Sequence, residues 1–352
     1  MQNEFNIPIK GENLDAPTEF GKSNSGCYMR TSWMISAKSE LRCSRFARIK
    51  FFTQGDANSL VERVRRRNVF ARHSWENSFY LNRIQSFENK TLIEIYRPGQ
   101  PDDFTEEAVH SADFLEELVV LSAFSQSGKK KLLRALGIAS KSKTQIEFIT
   151  GSEDYFVRSK KRLVPEPTGI CVDDRFSKRF QRYGFGKLFE YRLANQGLAH
   201  RVGTSINWLF ESAREPKLEA AFVKTSIALE SLLIFSESES LARSLSERAA
   251  FILSSVAERR QQISKAIKMF YDARSGIVHG SRDKAKHARP ELLETIDRMV
   301  LMLNLTIASN EKLWQSQEAL RIWCEHERWG APSLNITTPF PDSFLRKSFS
   351  TK

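Results

Sequence analysis

Short runs with a period of two follow an irregular beginning of the chain. Residues 1–30 are polar, rich in Gly, Ser and Asn, and without a period, which predicts a loop or a loosely ordered arm. Alternating apolar and polar positions, separated by Gly, Asn and Asp, then predict strands. These strands are expected at residues 31–37, 45–52, 78–84 and 91–96, with one helix between them at residues 57–67.

Helical periodicity takes over further along the chain. An apolar face predicts a helix over residues 110–136, and the basic, aromatic segment 173–195 is also predicted to be helical. Between these, residues 145–149 and 154–158 predict a hairpin joined through a Gly-Ser turn. The N-terminal half is therefore expected to be α+β, and the pattern does not specify its topology.

Beyond about residue 200 the sequence predicts helices alone. Apolar positions recur at the spacing of one buried face in residues 217–235, in residues 241–256, and from residue 260 to residue 272 or slightly beyond. Pro290 opens a further long helix, since proline favours the first helical turn. Helices of this length with short connections form antiparallel bundles.

The fold class predicted from these patterns is mainly α, with an α+β N-terminal domain followed by an all-α antiparallel helical bundle. The expected segments are a polar arm at residues 1–30, the α+β domain at 31–200, the bundle at 201–328 and an irregular tail at 329–352. A chain of 352 residues is long enough for two domains, and 41% hydrophobic residues with 25 phenylalanines supply their cores.

Composition excludes several classes of protein. No apolar run approaches the roughly 18–20 residues that span a bilayer, and the first residues lack the basic and apolar regions of a secretory signal. We therefore expect a cytoplasmic protein without a membrane partner. No metal site and no cofactor are expected, because no carboxylates, cysteines or histidines cluster at ligand spacing. The cysteines are far apart and are interpreted as reduced thiols: Cys27, Cys43, Cys171 and Cys324.

A net charge of +12, from 54 Lys and Arg against 42 Asp and Glu, points towards an acidic partner. Nucleic acid is the commonest such partner, whereas a solvated basic surface explains the charge equally well. Nearby aromatic side chains would suit stacking on unpaired bases or belong to the core. Three basic clusters in the N-terminal half are candidates for RNA binding: Arg65, Arg66 and Arg67; Lys129, Lys130 and Lys131; and Lys160, Lys161 and Arg162.

The segment 271–280, Tyr-Asp-Ala-Arg-Ser-Gly-Ile-Val-His-Gly, contains the strongest candidate chemistry. Arginine keeps its charge at any working pH and binds phosphate oxygens in a bidentate fork, and histidine transfers protons near neutral pH. Arg274 and His279 together therefore suggest phosphodiester chemistry. Both also have structural interpretations: Arg274 as a helix C-terminal cation or an ion-pair partner of Asp272 or Glu230, and His279 as a capping or packed side chain.

Helix geometry limits how Arg274 and His279 act together. A step of five residues turns about 500°, or about 140° net, so the two side chains diverge on one unbroken helix. They converge on one phosphate if the helix ends or bends between them, and Gly276 is the candidate position for a bend. The alternative is a two-fold dimer in which each chain contributes its pair to a shared cleft.

Residues of about 217–307 resemble the HEPN superfamily, in particular its ApeA-like branch. The matching pieces are Ile-Ala-Leu-Glu-Ser-Leu-Leu at 227–233, Leu-Ser-Glu-Arg-Ala-Ala at 245–250, and Met-Phe-Tyr-Asp-Ala-Arg-Ser-Gly-Ile-Val-His-Gly at 269–280, followed by the long helix. The family motif is an arginine followed, after four to six residues, by a histidine. A polar residue commonly follows the arginine, and Ser275 fills that place.

The resemblance implies a HEPN-type helical bundle that dimerises and, in the active members of the family, cleaves RNA without a metal. It also implies a role in bacterial anti-phage defence or toxin-like growth arrest, with a phage-derived trigger or an antitoxin as further partners. The implied function is a metal-independent endoribonuclease acting on RNA, with tRNA as one candidate substrate. The alternative is a non-catalytic HEPN adaptor that binds nucleic acid or a partner protein.

Residues and resemblance together suggest that the RNA's own 2′-hydroxyl is the nucleophile. His279 would accept the proton of the 2′-hydroxyl or protonate the 5′-oxygen leaving group. Arg274 would stabilise the charge that builds on the phosphorane. The products would be a 2′,3′-cyclic phosphate and a 5′-hydroxyl, and DNA would be inert because it lacks the attacking group.

Four further residues are expected in supporting roles around this pair. Glu230 lies beside the apolar stripe of its predicted helix, where it would orient Arg274 or His279 or pair with a surface lysine. Tyr271 and Asp272 precede the arginine and would position it. The complete supporting set is Glu230, Tyr271, Asp272 and Ser275.

Overall fold

The structure is mainly helical, with a small sheet region in the N-terminal part of the chain, as the sequence predicts. It is a computed structural model. The residues it describes are 25–31, 35–44, 47–66, 85, 87–98, 101–127, 145–146, 159–160, 170–236, 240–330 and 336–339. The strands predicted at residues 78–84 and 154–158 lie outside the described residues.

Two sheets are present in the described part of the chain. Their strands are β1 (Ser25–Thr31), β2 (Ile35–Ala37), β3 (Leu41–Ser44), β4 (Ala47–Phe52), β5 (Lys90–Pro98), β6 (Gln145–Ile146), β7 (Ser159–Lys160) and β8 (Ile170–Val172). The larger sheet has the order β3-β4-β5-β1-β6-β7, and all its neighbouring strands are antiparallel. The smaller sheet pairs β2 with β8 in parallel.

The N-terminal strands differ in part from the prediction. The polar arm is shorter than residues 1–30, because β1 pairs along its whole length with β5, from Ser25 opposite Pro98 to Thr31 opposite Leu92. A partner strand so distant in sequence leaves no local periodicity. The single strand predicted at 31–37 is wrong, because β1 ends at Thr31 and β2 is a separate strand in the other sheet.

Four helices lie in the N-terminal part of the described chain: α1 (Gln54–Arg66), α2 (Pro101–Ser127), α3 (Asp174–Arg182) and α4 (Phe185–Ala194). α2 begins earlier than the predicted residue 110, with Pro101 as its first residue. The helical segment predicted at 173–195 divides into α3 and α4. Gly184 separates them in a left-handed conformation with φ of 80°, which glycine adopts without steric cost.

The regular elements described between residues 199 and 328 are all helices, which confirms the prediction. These helices are α5 (Ala199–Arg214), α6 (Leu218–Leu233), α7 (Leu241–Leu253), α8 (Ala257–His279), α9 (Arg282–Ala285), α10 (Pro290–Ser309) and α11 (Gln317–Arg328). The long helix predicted to open at Pro290 is confirmed as α10.

α10 is the central helix of this part, since every residue from 299 to 308 is buried. It packs against α4, α5, α6, α7 and α8. Beside it, the ring of Phe222 on α6 stacks on the ring of Phe270 on α8, with centroids 5.1 Å apart. Most of the buried apolar residues of the sheets and of the helices belong to one contiguous core. The domain boundary expected near residue 200 stays a prediction.

One described piece of the predicted irregular tail folds back onto the bundle. The Asn310 side chain, at the end of α10, donates from Nδ2 to the Thr337 carbonyl at 2.9 Å and accepts from the Thr337 amide at 3.0 Å. Pro339 then lies against Gly184, where an added Cβ would be 3.3 Å from the proline ring. This segment is therefore fixed by a side-chain amide rather than by regular structure.

Candidate active site

The motif residues Arg274 and His279 both lie on α8, which is unbroken from Ala257 to His279. Of the two alternatives that the sequence leaves open, an end of the helix at Gly276 is therefore excluded. Gly276 is buried inside the helix, where packing offsets the intrinsic cost of a helical glycine. The helix ends instead at Gly280, which adopts φ of 71° at the C-terminal cap, the position that most favours glycine.

The two side chains of the motif therefore point in different directions. Five residues of regular helix separate them by about 140° around the axis and by about 7.5 Å along it. His279 is exposed at the last helical position. The Arg274 side chain is 25% exposed and faces α6. One chain alone does not direct both groups at the same phosphate.

Arg274 lies next to a carboxylate of α6. Its Nη2 atom is 3.9 Å from Oε1 of Glu230. The Nε atom of Arg274 is buried and has no hydrogen-bond partner within the described part of the chain. The guanidinium is thus held by charge and packing, and its exposed edge remains accessible to an anion.

Tyr271 fixes the carboxylate that faces Arg274. Its hydroxyl donates to Oε1 of Glu230 at 2.7 Å, across the contact between α8 and α6. Burial of the phenol, and then the negative charge of Glu230, raise the pKa of Tyr271 far above its ordinary value. The phenol is therefore a donor at every physiological pH. Its ring packs edge to face on Phe270, at 5.9 Å between centroids, which limits its movement.

The other two supporting residues occupy different places. Asp272 is exposed and lies about 160° around the helix from Arg274. Of the two ion-pair partners that the sequence offers for Arg274, the structure shows Glu230 and not Asp272. Asp272 shares its face of α8 with His279. Ser275 is half-buried beside the arginine.

Two arginines hold the end of α6 just beyond Glu230. Arg201 donates from Nη1 to the carbonyls of Ser231 and Ile234, both at 2.8 Å. Arg248 donates from Nη1 to the carbonyl of Leu233 at 2.6 Å. Cations at these carbonyls complement the negative end of the helix dipole. The turn that carries Glu230 is therefore anchored.

The ring of Phe235 connects these two arginines. The guanidinium of Arg248 lies 4.2 Å from the ring centroid and that of Arg201 lies 5.8 Å from it. Sequence reasoning missed this arrangement. Its components come from three helices and one loop, and no local pattern relates them.

Most candidate RNA-binding residues of the sequence analysis fall outside what the structure describes. Arg65 and Arg66 lie in the last turn of α1 and Lys160 lies in β7, each with its backbone alone described. The remaining six lie outside the described residues: Arg67, Lys129, Lys130, Lys131, Lys161 and Arg162.

The thiols that the structure describes are free cysteines, Cys43, Cys171 and Cys324. Burial raises the pKa of the Cys324 thiol to about 12, and burial raises that of Cys43 as well. Within the described ranges no three His, Cys, Asp or Glu side chains group as metal ligands. No helix among them has the length and hydrophobicity to cross a membrane.

Comparisons with protein families, with curated proteins and with solved structures find no match to this chain. The geometry around α8 is therefore the basis for a functional assignment.

The Tyr271–Glu230 hydrogen bond is testable by a double-mutant cycle of Tyr271→Phe and Glu230→Ala. Because the bond is charge-assisted and shielded, we expect a coupling of about 1–2 kcal/mol in the free energy of unfolding, measured by urea denaturation. The matched control replaces Glu230→Ala with Glu219→Ala, an exposed glutamate in the first turn of the same helix. A coupling no larger than in the control cycle would contradict the contact.

Proposed function

We propose that this chain is an endoribonuclease of HEPN type, which cleaves RNA through attack of the 2′-hydroxyl on the adjacent phosphate. The carrying observation is the arrangement on α8. A partly exposed Arg274, held beside Glu230, precedes an exposed His279 on the same helix. The net charge of +12 favours an anionic substrate.

His279 carries the proton transfers in this proposal. As base, its imidazole accepts the proton of the 2′-hydroxyl while the oxygen forms a bond to phosphorus. As acid, an imidazolium gives a proton to the departing 5′-oxygen when the phosphorus–oxygen bond breaks. Its exposure at the end of α8 leaves the ring free to reach the backbone of a bound RNA.

Arg274 stabilises the phosphorane. The negative charge on the non-bridging oxygens increases as the new bond forms, and a guanidinium already in place needs no reorganisation. Glu230 and Tyr271 are positioning residues in this account, since they hold the arginine and do not touch the substrate. The products are a 2′,3′-cyclic phosphate and a 5′-hydroxyl.

A homodimer completes the site. Regular helix geometry separates Arg274 and His279 of one chain by about 140° around the axis of α8. A two-fold axis beside α8 would bring two such helices together, so that each phosphate meets an arginine and a histidine from different chains. In a cell, such an enzyme would act in anti-phage defence or growth arrest, under the control of a trigger or an antitoxin.

A second candidate function is a non-catalytic adaptor that binds nucleic acid or a partner protein. The observation that favours it is the Glu230 carboxylate at 3.9 Å from Arg274, which offsets the positive charge that a phosphate would meet. An adaptor retains binding when the histidine is removed and shows no cleavage in any variant.

Substitution of the motif separates these candidates. We expect Arg274→Ala to reduce the rate of RNA cleavage by about 10²–10³-fold and His279→Ala by about 10²–10⁴-fold, with the melting temperature unchanged to within a few degrees. The matched controls are Arg243→Ala and His326→Ala, at exposed positions on α7 and α11, which should cleave like the wild type. Near wild-type cleavage by either motif variant would refute the assignment.

The shared site is tested by assembly state and by mixing. We expect a dimer in light scattering at the concentration of the cleavage assay. Mixing Arg274→Ala chains with His279→Ala chains should restore part of the activity, because one composite site in each heterodimer then keeps both groups. A strictly monomeric protein that cleaves at the same concentration would rule out the dimer.

A further inference from the structure

α3 is a short amphipathic helix with two very different sides. Phe176 and Phe180 are buried on one side, where the helix packs against α4, β3 and β8. Asp173 begins the helix, since its carboxylate accepts from the Phe176 amide at 2.7 Å. This anchoring fixes which side of α3 faces solvent.

The outer side of α3 consists largely of cations. Four of them lie within an arc of about 100° around the axis, and the outermost are separated by about 10 Å along it. Three are exposed and one is half-buried. They are Arg175, Lys178, Arg179 and Arg182.

These cations have no acidic partner among the residues that the structure describes. Arg243 on α7, in contrast, is exposed and pairs with Glu247 at 2.9 Å. Like charges three and four residues apart repel each other on a helix. Asp174, one turn before Lys178, offsets part of this charge. The other cations repel each other, and an external anion would relieve that repulsion.

The side chains of this surface favour a nucleic-acid strand over an anionic membrane as the binding partner. A helix that lies on a membrane inserts large apolar side chains, but the phenylalanines of α3 are buried in the protein. Its solvent-facing side presents guanidinium and ammonium groups in a row, which suits the regularly spaced phosphates of a nucleic-acid strand. Phosphate contacts of this kind carry no sequence information.

We propose that α3 binds the phosphate backbone of RNA through Arg175, Lys178, Arg179 and Arg182, without reading its sequence. This inference rests on the proposed function for the identity of the substrate. It adds a binding surface on α3, separate from the motif on α8. RNA held on α3 would be retained by the protein independently of the cleavage step.

The test measures binding without cleavage. Fluorescein-labelled, 2′-O-methylated oligouridine of about 20 nucleotides, which lacks the attacking hydroxyl, is titrated with protein at several salt concentrations and followed by fluorescence anisotropy. The variant is the triple substitution Arg175→Gln, Lys178→Gln and Arg182→Gln. We expect affinity to fall by about tenfold or more and the salt dependence of log K to flatten by about 2, because each lost phosphate contact removes about 0.7 for a single strand.

The matched control removes the same charge elsewhere, through Lys90→Gln, Lys217→Gln and Lys312→Gln, three exposed lysines in separate parts of the chain. It should bind within about twofold of the wild type, whereas equal losses in both triple variants would overturn the inference. Arg175→Lys with Arg182→Lys should keep most of the affinity. Melting curves confirm that each variant is folded.

The remaining outcomes of this experiment separate RNA binding by α3 from membrane binding and from the proposed function. An α3 variant that loses binding to phosphatidylserine vesicles but binds the oligonucleotide like the wild type would overturn the inference in favour of a membrane surface. If the wild type cleaves RNA and the α3 variant binds the oligonucleotide as tightly as the wild type, the α3 inference is refuted and the proposed function stands. If the wild type binds the oligonucleotide but does not cleave RNA, and the α3 variant loses that binding, the proposed function is refuted and RNA binding by α3 stands.

Discussion

The carboxylate of Glu230 connects the two helices on which the proposed chemistry depends. It accepts the Tyr271 hydroxyl at 2.7 Å and lies 3.9 Å from the Arg274 guanidinium, so one α6 side chain contacts two positions of α8 separated by almost one turn. Its own turn is anchored by Arg201 and Arg248 at the end of α6. The orientation of Arg274 therefore follows from packing and hydrogen bonding inside the bundle, before any substrate binds.

The continuity of α8, in contrast, keeps Arg274 and His279 of one chain apart. An unbroken helix to His279 separates the helical positions of histidine and arginine by about 140° around the axis. In the proposed enzyme the catalytic pair would form across two chains, which would make assembly part of the chemistry. The basic surface of α3 lies on a different element, so substrate retention and cleavage would be separable in the proposed enzyme.

The sequence predicts the C-terminal helices well because each has an apolar face of its own, as α6 and α10 show. It does not predict that α8 continues to His279, because the burial of Gly276 inside the helix is not visible in the periodicity. It fails at β1 because the partner strand β5 is distant in the chain. The Tyr271–Glu230 contact depends on which turn of α6 faces α8, a property of tertiary packing. Glu230 itself was identified from its position beside the apolar stripe.

The most direct test of the account is to incubate the purified protein with total tRNA in the presence of EDTA and to map the new ends. Attack by the 2′-hydroxyl predicts that cleavage persists and leaves 2′,3′-cyclic phosphate and 5′-hydroxyl ends. Cleavage that stops in EDTA and returns with magnesium or manganese, or that leaves 3′-hydroxyl and 5′-phosphate ends, would contradict it.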